Sequence, residues 1–265
     1  MSEQSRVFVT GANTGLGLEV VKALYTSATP YEIFLGSRSL EKAEEAIKTV
    51  KALSSDSRSN ITPVQVDVSS DDSISQAFDA ISSKTGHLDV LINNAGASFD
   101  QALVEGKISV RECFNQAWDT NVTGTHILTH TFVPLLLKSS TPRLIFVTSG
   151  LSSLTEAANF SHPRSVPPPA GWPKSGPSFT AYRSSKTGLN MVALEWTKTL
   201  KNDGVKVFTI SPGLLATGLG GNPEALKKMG ALDPSIGGHF IKDVVEGKRD
   251  DDTSKVIRKD MVQPF

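Results

Sequence analysis

The sequence predicts one α/β domain over residues 1–265, built on a doubly wound parallel sheet of about seven strands with helices on both faces. Short apolar, β-branched runs alternate with helical patterns along the chain. The runs are apolar almost throughout, as expected for strands that are covered on both faces. A length of 265 residues with 38% hydrophobic residues is enough for a full core.

The alternation can be followed through the whole chain. Apolar runs predict strands at residues 6–10, 32–35, 62–66, 88–92, 143–148 and 205–210, with a seventh near 256–257. The third strand is expected to be short because it contains Pro63. Ser39 is expected to cap the second helix, and Pro134 to bend the fourth. Helical patterns run to Leu24 after the first strand and cover residues 70–84, 110–138 and 180–201.

Two segments interrupt this alternation, and each follows the C-terminal end of a strand. The proline-rich loop, residues 151–178, contains Pro163, Pro167, Pro168, Pro169, Pro173 and Pro177. The second segment, residues 213–234, is rich in Gly and Leu. Ligands bind at this edge of an open parallel sheet, and long irregular loops in compact domains are commonly functional. We therefore expect residues 213–234 to form a lid that closes an apolar substrate off from water.

Composition argues against several kinds of partner and site. Lys and Arg total 27, and so do Asp and Glu, so no net charge attracts nucleic acid or an anionic membrane. The single Cys113 excludes an internal disulfide, and the five histidines show no convincing ligand pattern, so no metal is expected. With no apolar run of roughly 18 residues and no apolar signal core, a cytoplasmic location is expected.

A glycine-rich turn joins the first strand to the first helix. Its candidate phosphate-binding positions are Gly11, Asn13, Thr14, Gly15, Leu16 and Gly17. Glycines allow a tight turn and close approach of the backbone to a pyrophosphate, and the helix N-terminus offers free N–H groups and a positive dipole end. A glycine turn can also be a plain connection, but its place between a strand and a helix favours dinucleotide binding on a Rossmann fold.

The end of the second strand favours NADP over NAD. NAD-binding sites usually place an acid there for the ribose 2′-hydroxyl, whereas an arginine accommodates a 2′-phosphate. This chain has Ser37 and Arg38 at that point and no acid. A guanidinium can bind a phosphate through two hydrogen bonds, so NADP(H) is the predicted cofactor. The alternative is a surface arginine at the start of a helix.

Tyr182 and Lys186 are candidates for acid–base chemistry. They lie four positions apart on a predicted helix, so their side chains share a face. A free tyrosine has a pKa near 10, and a neighbouring ammonium group lowers that pKa. Such a pair also arises by chance, but Ser149 adds a hydroxyl at the end of the fifth strand, beside the expected ligand edge.

These residues form part of an ordered series of motifs, and through that series the chain resembles the short-chain dehydrogenases/reductases of the main Rossmann-type branch. The series extends from residue 6 to about residue 217. It comprises Thr10-Gly11-x3-Gly15-x-Gly17, Asp67-Val68, Asn93-Asn94-Ala95-Gly96, Asn121, Ser149, Tyr182-x3-Lys186, and Pro212-Gly213 followed by Thr217.

The resemblance implies a role for each catalytic position. Tyr182 would donate a proton to the substrate carbonyl oxygen, and Ser149 would hydrogen-bond that oxygen. Lys186 would bind the nicotinamide ribose and lower the pKa of Tyr182. Asn121 would support a water chain that relays protons to Lys186.

The resemblance also implies cofactor contacts beyond the glycine turn. Tyr182 and Lys186 would count among them. Asp67 and Val68 would contact the adenine. Asn94, Ala95 and Gly96 would contact the adenosine ribose. Pro212, Gly213 and Thr217 would contact the nicotinamide.

The chain departs from the family pattern between Ser149 and Tyr182. The gap of 33 positions is longer than usual because it holds the proline-rich loop. In placement, the loop resembles the insertion of carbonyl reductases, which covers a helix face that other members use to form tetramers. We therefore expect the loop to shield that face and to wall the pocket, and the protein to be a monomer or homodimer. A tolerated surface insertion is the alternative.

The predicted activity is NADPH-dependent reduction of a ketone or aldehyde to an alcohol, on an apolar, aromatic or polycyclic small molecule. Oxidation of an alcohol would use the same residues in reverse. A nucleotide sensor, or an isomerase, pericyclase or dehydratase without redox turnover, is the alternative from other classes, because fold does not fix function. The presence of Ser149, Tyr182 and Lys186 together argues against these non-redox alternatives.

Overall fold

The computed structural model describes residues 4–174 and 178–265, which include a seven-stranded parallel sheet. The strands β1 to β7 are Ser5–Val9, Tyr31–Ser37, Asn60–Gln65, Val90–Asn93, Arg143–Val147, Lys206–Ile210 and Val256–Ile257. Their order in the sheet is β3-β2-β1-β4-β5-β6-β7, and neighbouring strands are parallel. The order changes direction between β1 and β4, which opens a crevice at the carboxyl edge of the sheet. The predicted fold class is confirmed.

The helices cover both faces of this sheet. Helices α1 to α10 are Gly15–Tyr25, Leu40–Lys51, Asp71–Ser82, Asp100–Val104, Val110–Trp118, Gly124–Leu136, Leu154–Ala158, Thr180–Thr199, Pro223–Lys228 and Pro234–Val245. Ser39 caps α2 as predicted, since its hydroxyl accepts a hydrogen bond from the Lys42 N–H at 3.2 Å. Helix α10 has no counterpart among the sequence predictions.

Successive side chains of β1 point to opposite faces of the sheet and so pack into the two layers of the core. Val7 and Val9 pack into the cluster that contains buried residues of α1, α2 and α10. Phe8 points to the opposite face and packs into the cluster formed with α3, α6 and α8. All three side chains are fully buried, as expected for a strand at the centre of a sheet that is covered on both sides.

The structure differs from two details of the predicted elements. β3 is not short: it is an edge strand, so Pro63 pairs with Leu35 of β2 and has no strand on its other side. The region 110–138 is helical as predicted up to Leu136, but it is not regular throughout. Its irregularity is a π-helical turn at Asp119–Thr123, between α5 and α6, and α6 continues through Pro134.

The two irregular segments contain short helices. The proline-rich loop begins with α7, and its Pro177 lies outside the described residues. Residues 213–234 contain α9, and Leu215 forms an isolated parallel bridge with Leu232 that closes the segment on itself. Neither helix was predicted, because each is shorter than the window in which a helical period can be recognised.

Candidate active site

The turn between β1 and α1 has the shape needed for close approach of a phosphate. Gly11 and Gly15 have φ angles of +61° and +55°, a region that favours glycine. A Cβ at Gly17 would lie 2.5 Å from both the Asn94 Nδ2 and the Gly11 carbonyl oxygen. The Thr14 side chain does not cap α1, so the N–H groups of its first turn are left for a ligand.

Asn94 and Thr10 brace this turn from the adjacent strand. The Asn94 amide donates to the carbonyl oxygens of Thr10 at 2.8 Å and of Gly11 at 3.1 Å. In return, the Thr10 hydroxyl accepts from the N–H groups of Asn94 at 3.1 Å and Ala95 at 3.0 Å. The Asn94 side chain, expected to line the adenosine ribose, is therefore engaged with the glycine turn.

Ser37 and Arg38 lie where the sequence predicts a 2′-phosphate contact. Ser37 is buried at the end of β2, and its hydroxyl accepts from the Ser39 N–H at 3.2 Å. Arg38 is exposed, and its guanidinium forms no ion pair within residues 4–174 and 178–265. The backbone nearby is fixed to the glycine turn, since the Ala12 N–H donates to the Gly36 carbonyl at 2.8 Å. A cation without an acidic partner therefore stands beside the turn.

Asp67 and Val68 follow β3 at the same edge of the sheet. One carboxylate oxygen of Asp67 accepts from the Ser69 N–H at 3.0 Å, which fixes the side chain at the mouth of the crevice. The Val68 carbonyl lies so close to α6 that a Cβ at Gly124 would be 1.9 Å from its oxygen. The sequence predictions missed Gly124, which lets α6 approach this part of the site.

These features fit a nicotinamide dinucleotide. The glycine cradle and the uncapped start of α1 suit a pyrophosphate, and the exposed Arg38 suits an additional phosphate. Thr217 lies beside the glycine turn, because its side chain would be 3.5 Å from a Cβ at Gly15. The structure thus brings residues 213–217 to the phosphate-binding turn.

The candidate catalytic residues meet at the ends of β5 and α8. Ser149 follows β5, and its hydroxyl lies near enough to the Tyr182 phenol to lower the pKa of that phenol. Lys186 is buried one helical turn beyond Tyr182, and its ammonium donates to the Val147 carbonyl at 2.9 Å. A proton donor, a second hydroxyl and a cation therefore converge at the carboxyl edge of the sheet.

Burial is the largest cause of the pKa shifts of Tyr182 and Lys186. The pKa of Tyr182 lies above the ordinary value of 10, mainly because the phenol is desolvated, while the Ser149 hydrogen bond lowers it and the charge of Asp100 raises it. The same desolvation lowers the pKa of Lys186 to about 8. The net shift in the pKa of Tyr182 is opposite to the lowering that was expected from Lys186, because desolvation and the charge of Asp100 together outweigh the effect of the Ser149 hydroxyl.

Asn121 lies within the π-helical turn and is completely buried. Its amide oxygen accepts from the Ala97 N–H at 2.9 Å, and its nitrogen donates to the Ala97 carbonyl at 2.8 Å and the Ser185 hydroxyl at 3.0 Å. A Cβ at Gly96 would lie 3.0 Å from the Asn121 oxygen and 3.1 Å from the Lys186 nitrogen. A side chain at position 96 would therefore crowd both polar groups, and glycine leaves room for them.

Residues 212–217 connect the site to α10. A Cβ at Gly237 would lie 2.8 Å from side-chain atoms of both Leu16 and Leu215 and 3.5 Å from Pro212, so these side chains pack against the N-terminal part of α10. Gly213 has a φ of +96°, which permits the sharp turn after β6. Of the leucines expected to face a substrate, Leu215 and Leu226 are buried, whereas the exposed ones are Leu214, Leu219 and Leu232.

The C-terminal segment also reaches the site, which the sequence predictions missed. The chain turns back after β7, and Ile257 and Val262 form an antiparallel bridge. Gln263 is 1% exposed, and its amide donates to the Ser149 carbonyl at 3.2 Å and the Ser152 hydroxyl at 3.3 Å. No local pattern signals such a contact, because the two segments are 114 positions apart.

A chain of contacts runs from Gln263 into the proline-rich loop. The Gln263 oxygen accepts from Arg258 at 2.9 Å, and Arg258 pairs with Glu156 at 2.7 Å. Glu156 in turn pairs with Arg164 at 2.9 Å. The backbone oxygen of Phe265 accepts from the N–H and hydroxyl of Thr155. The tail thereby ties the first part of the loop to the segment that carries Ser149.

Comparison with known proteins decides the family. Residues 5–161 match the family model described as short chain dehydrogenase. The chain belongs to the short-chain dehydrogenase family. A short-chain dehydrogenase/reductase of Phoma sp, eupG, is 52% identical over 97% of this chain and 96% of its own length. Another from Talaromyces stipitatus, tropE, is 46% identical over 100% of this chain and 99% of its own.

A solved structure agrees with the fold. NADPH-bound carbonyl reductase from chicken fatty liver matches with a TM-score of 0.80 and 21% identity, covering 99% of this chain and 100% of that one. At this identity the likeness concerns the fold. As a short-chain dehydrogenase, the protein is an oxidoreductase whose family uses nicotinamide cofactors, and the site described above stands where a dinucleotide binds in such a sheet.

Among the described residues, no three or more His, Cys, Asp or Glu side chains are grouped so as to hold a metal ion. None of the helices in residues 4–174 and 178–265 combines the length and apolar character needed to cross a bilayer. Cys113 is buried in a small cluster with Ala117 and Ala181.

Proposed function

We propose that this protein uses NADPH to reduce a ketone or aldehyde to an alcohol on an apolar, aromatic or polycyclic small molecule. The observation that carries the proposal is that the Tyr182 phenol and the Ser149 hydroxyl lie at the carboxyl end of β5, where the buried ammonium of Lys186, one helical turn beyond Tyr182, donates to the Val147 carbonyl at 2.9 Å. A proton donor and a second hydroxyl at one point suit a carbonyl oxygen that gains negative charge during reduction.

Ser149, Tyr182 and Lys186 have different roles in the proposed reaction. When bound, NADPH supplies the hydride to the carbonyl carbon and leaves as NADP⁺. Ser149 holds the substrate oxygen, and Tyr182 delivers its proton to that oxygen, so that the carbonyl becomes an alcohol. The pKa of Tyr182 is raised by burial, so the phenol is protonated at neutral pH and ready to donate. Lys186 places a positive charge near the ribose position and the phenol.

Arg38 supports the choice of NADPH. Its exposed guanidinium stands next to the glycine turn, and Ser37 rather than an acid precedes it. An acid at the end of β2 would repel a 2′-phosphate, whereas a guanidinium can bind it through two hydrogen bonds. Exposed apolar side chains between residues 213 and 234, among them Leu214 and Leu219, support an apolar substrate beneath that segment.

The proposal is tested by following NADPH consumption against a panel of aliphatic, aromatic and quinone carbonyls, with NADH as the competing cofactor. We expect turnover with NADPH on apolar members of the panel. Tyr182→Phe should lower kcat by about 10²- to 10⁴-fold, the range for loss of a general acid, with NADPH affinity retained. Turnover that survives in Tyr182→Phe would contradict the proposed proton donor.

The alternatives predict different outcomes in the same assay. An oxidative dehydrogenase would also reduce its carbonyl, because the chemistry is reversible, but its kcat/KM would be higher for the alcohol with NADP⁺ than for the carbonyl with NADPH. A non-redox protein of this fold would bind NADPH without consuming it on any member. Either result would replace the proposed activity while leaving family membership intact.

The state of assembly stays a prediction. We propose a monomer or homodimer, because the proline-rich loop lengthens the segment before α8 relative to the family pattern. Met191 of α8 is 60% exposed and borders a groove with His126 and Trp196. No described residue of the proline-rich loop lines this groove, so this part of the α6–α8 surface is left open to the partner of a homodimer. Light scattering of the purified protein distinguishes the predicted states from a tetramer, which would contradict the proposal.

A further inference from the structure

Asp100 is a buried acid next to the catalytic helix, and none of the motifs accounts for it. It begins α4, and 2% of its surface is exposed. Carboxylates are rarely buried to this extent unless they are paired or hydrogen-bonded. The contacts of Asp100 therefore indicate what the buried charge does.

Both carboxylate oxygens of Asp100 accept backbone hydrogen bonds from the start of α8. One oxygen accepts from the Ala181 N–H and the other from the Tyr182 N–H, each at 3.2 Å. The second oxygen also accepts from the Ser98 hydroxyl at 3.2 Å. Ala181 and Tyr182 are in the first turn of α8, where N–H groups have no partner within the helix. Phe179 at the N-cap offers none from its side chain.

Asp100 thus caps α8 from a different helix. Caps are usually local Ser, Thr, Asp or Asn side chains, as with Ser39 at α2. Here the capping carboxylate lies about eighty positions away along the chain, so it also locks α4 against the helix that carries Tyr182. The negative charge sits at the positive end of the α8 dipole, where it is favourable.

The same charge acts on the phenol. Two groups act on the Tyr182 phenol: the Ser149 hydroxyl lowers its pKa, and the charge of Asp100 from α4 raises it. Lys186 lies one turn further along α8. The pKa of the Cys113 thiol on α5 is raised by desolvation and, to a smaller extent, by the same Asp100 charge. Of these groups, Asp100 opposes formation of a phenolate, because two negative charges would then lie close together in a buried place. Its contribution raises the pKa of Tyr182, in the same direction as burial.

We propose that Asp100 is a positioning residue that fixes the first turn of α8, and with it Tyr182, and that its negative charge beside this turn favours Tyr182 as a proton donor. The second half rests on the proposed function, because only reduction needs Tyr182 as the donor. The first half is independent of the reaction.

The charge effect can be measured without any substrate. The chain has three tyrosines, Tyr25, Tyr31 and Tyr182, so the titration of Tyr182 is the ultraviolet difference between the protein and its Tyr182→Phe variant. In an Asp100→Asn background, we expect the Tyr182 midpoint to fall by about one pH unit, since a nearby negative charge is removed. Asp79→Asn, an exposed acid on α3, is the matched control and should leave the midpoint unchanged. An unchanged midpoint in Asp100→Asn would overturn the charge effect.

The positioning effect can be measured on the unaltered protein, which covers the case in which Asp100→Asn does not fold. Amide hydrogen exchange by NMR should show Ala181 and Tyr182 exchanging at least about tenfold more slowly than Leu16 and Gly17, the matching first-turn amides of α1, whose N-cap Thr14 provides no side-chain partner. Equal exchange at the two helix starts would overturn the capping role.

Turnover then separates this inference from the proposed function. If the protein reduces carbonyls, the loss of activity at high pH should shift to lower pH in Asp100→Asn, because reduction needs the protonated phenol. If no carbonyl is reduced while the midpoint shift and the slow exchange are both found, the proposed function fails and the positioning role of Asp100 stands.

Discussion

The cofactor region, residues 5–100, and the substrate region, residues 149–178 and 213–265, are built in different ways. In the cofactor region, the groups that shape the site lie in turns that leave adjacent parallel strands, as with Asn94 and the glycine turn. In the substrate region, the carbonyl of Ser149 is held by Gln263 from 114 positions away.

This difference explains what each region contributes. The cofactor region depends on backbone geometry that a few glycines make possible, and the family model matches it completely within residues 5–161. That match ends inside the proline-rich loop, before Tyr182. The substrate region depends on side-chain contacts between segments that lie far apart along the chain, such as Arg258 with Glu156. We infer that cofactor binding follows from the shared part of the fold and substrate choice from the rest.

The largest effect is expected from Gly17→Ala in the cofactor region. The added methyl would lie 2.5 Å from the Asn94 amide and from the Gly11 carbonyl, so the turn must move. Displacing the helix start removes N–H groups from the phosphates, and we expect NADPH affinity to fall by about 100-fold or more, with a stability loss of about 1–3 kcal/mol. Fluorescence titration with NADPH and thermal unfolding measure the two effects.

Gly86→Ala is the matched control, because a Cβ there meets nothing within 4 Å. It should bind NADPH as the unaltered protein does. If Gly17→Ala also binds NADPH normally, the glycine turn is not the phosphate site, and cofactor binding cannot be assigned to the cofactor region in this way.

A smaller and more selective effect is expected from Arg38→Ala. Loss of charge-assisted hydrogen bonds to a 2′-phosphate should weaken NADPH binding by roughly 10- to 100-fold and leave NADH binding unchanged. Lys48→Ala removes an exposed cation from the following helix and serves as the control. If Arg38→Ala lowered the affinities for NADPH and NADH equally, the guanidinium would not be the group that binds the 2′-phosphate.

The smallest effect is expected from Gln263→Glu in the substrate region. The carboxylate keeps the side-chain shape and the Arg258 contact but cannot donate to the Ser149 carbonyl. We expect kcat to fall by about tenfold, the cost of one buried hydrogen bond, while NADPH affinity stays within about twofold. Lys259→Ala, at the exposed turn of the same C-terminal segment, should change neither. A loss of NADPH affinity in Gln263→Glu would show that the two regions are coupled.

The sequence was informative where function depends on local spacing. The strands, the glycine turn and the Tyr182–Lys186 pair follow from apolar runs and residue intervals, and the structure places Ser149, Tyr182 and Lys186 together. Asp100 and Gln263 could not be predicted in this way, because a buried acid or amide finds its partner only after distant segments have packed. Nor could the sign of the Tyr182 pKa shift, since desolvation depends on the packed environment.

In the proposed reaction, a hydride passes from NADPH, held by the cofactor region, to a carbonyl held at Ser149 and Tyr182. The most direct measurement uses NADPH deuterated at the transferable position of nicotinamide C4 with the best carbonyl of the panel, and mass spectrometry of the product. We expect an alcohol that carries deuterium at the former carbonyl carbon, together with formation of NADP⁺. A product without deuterium, or substrate conversion that leaves NADPH unchanged, would contradict it.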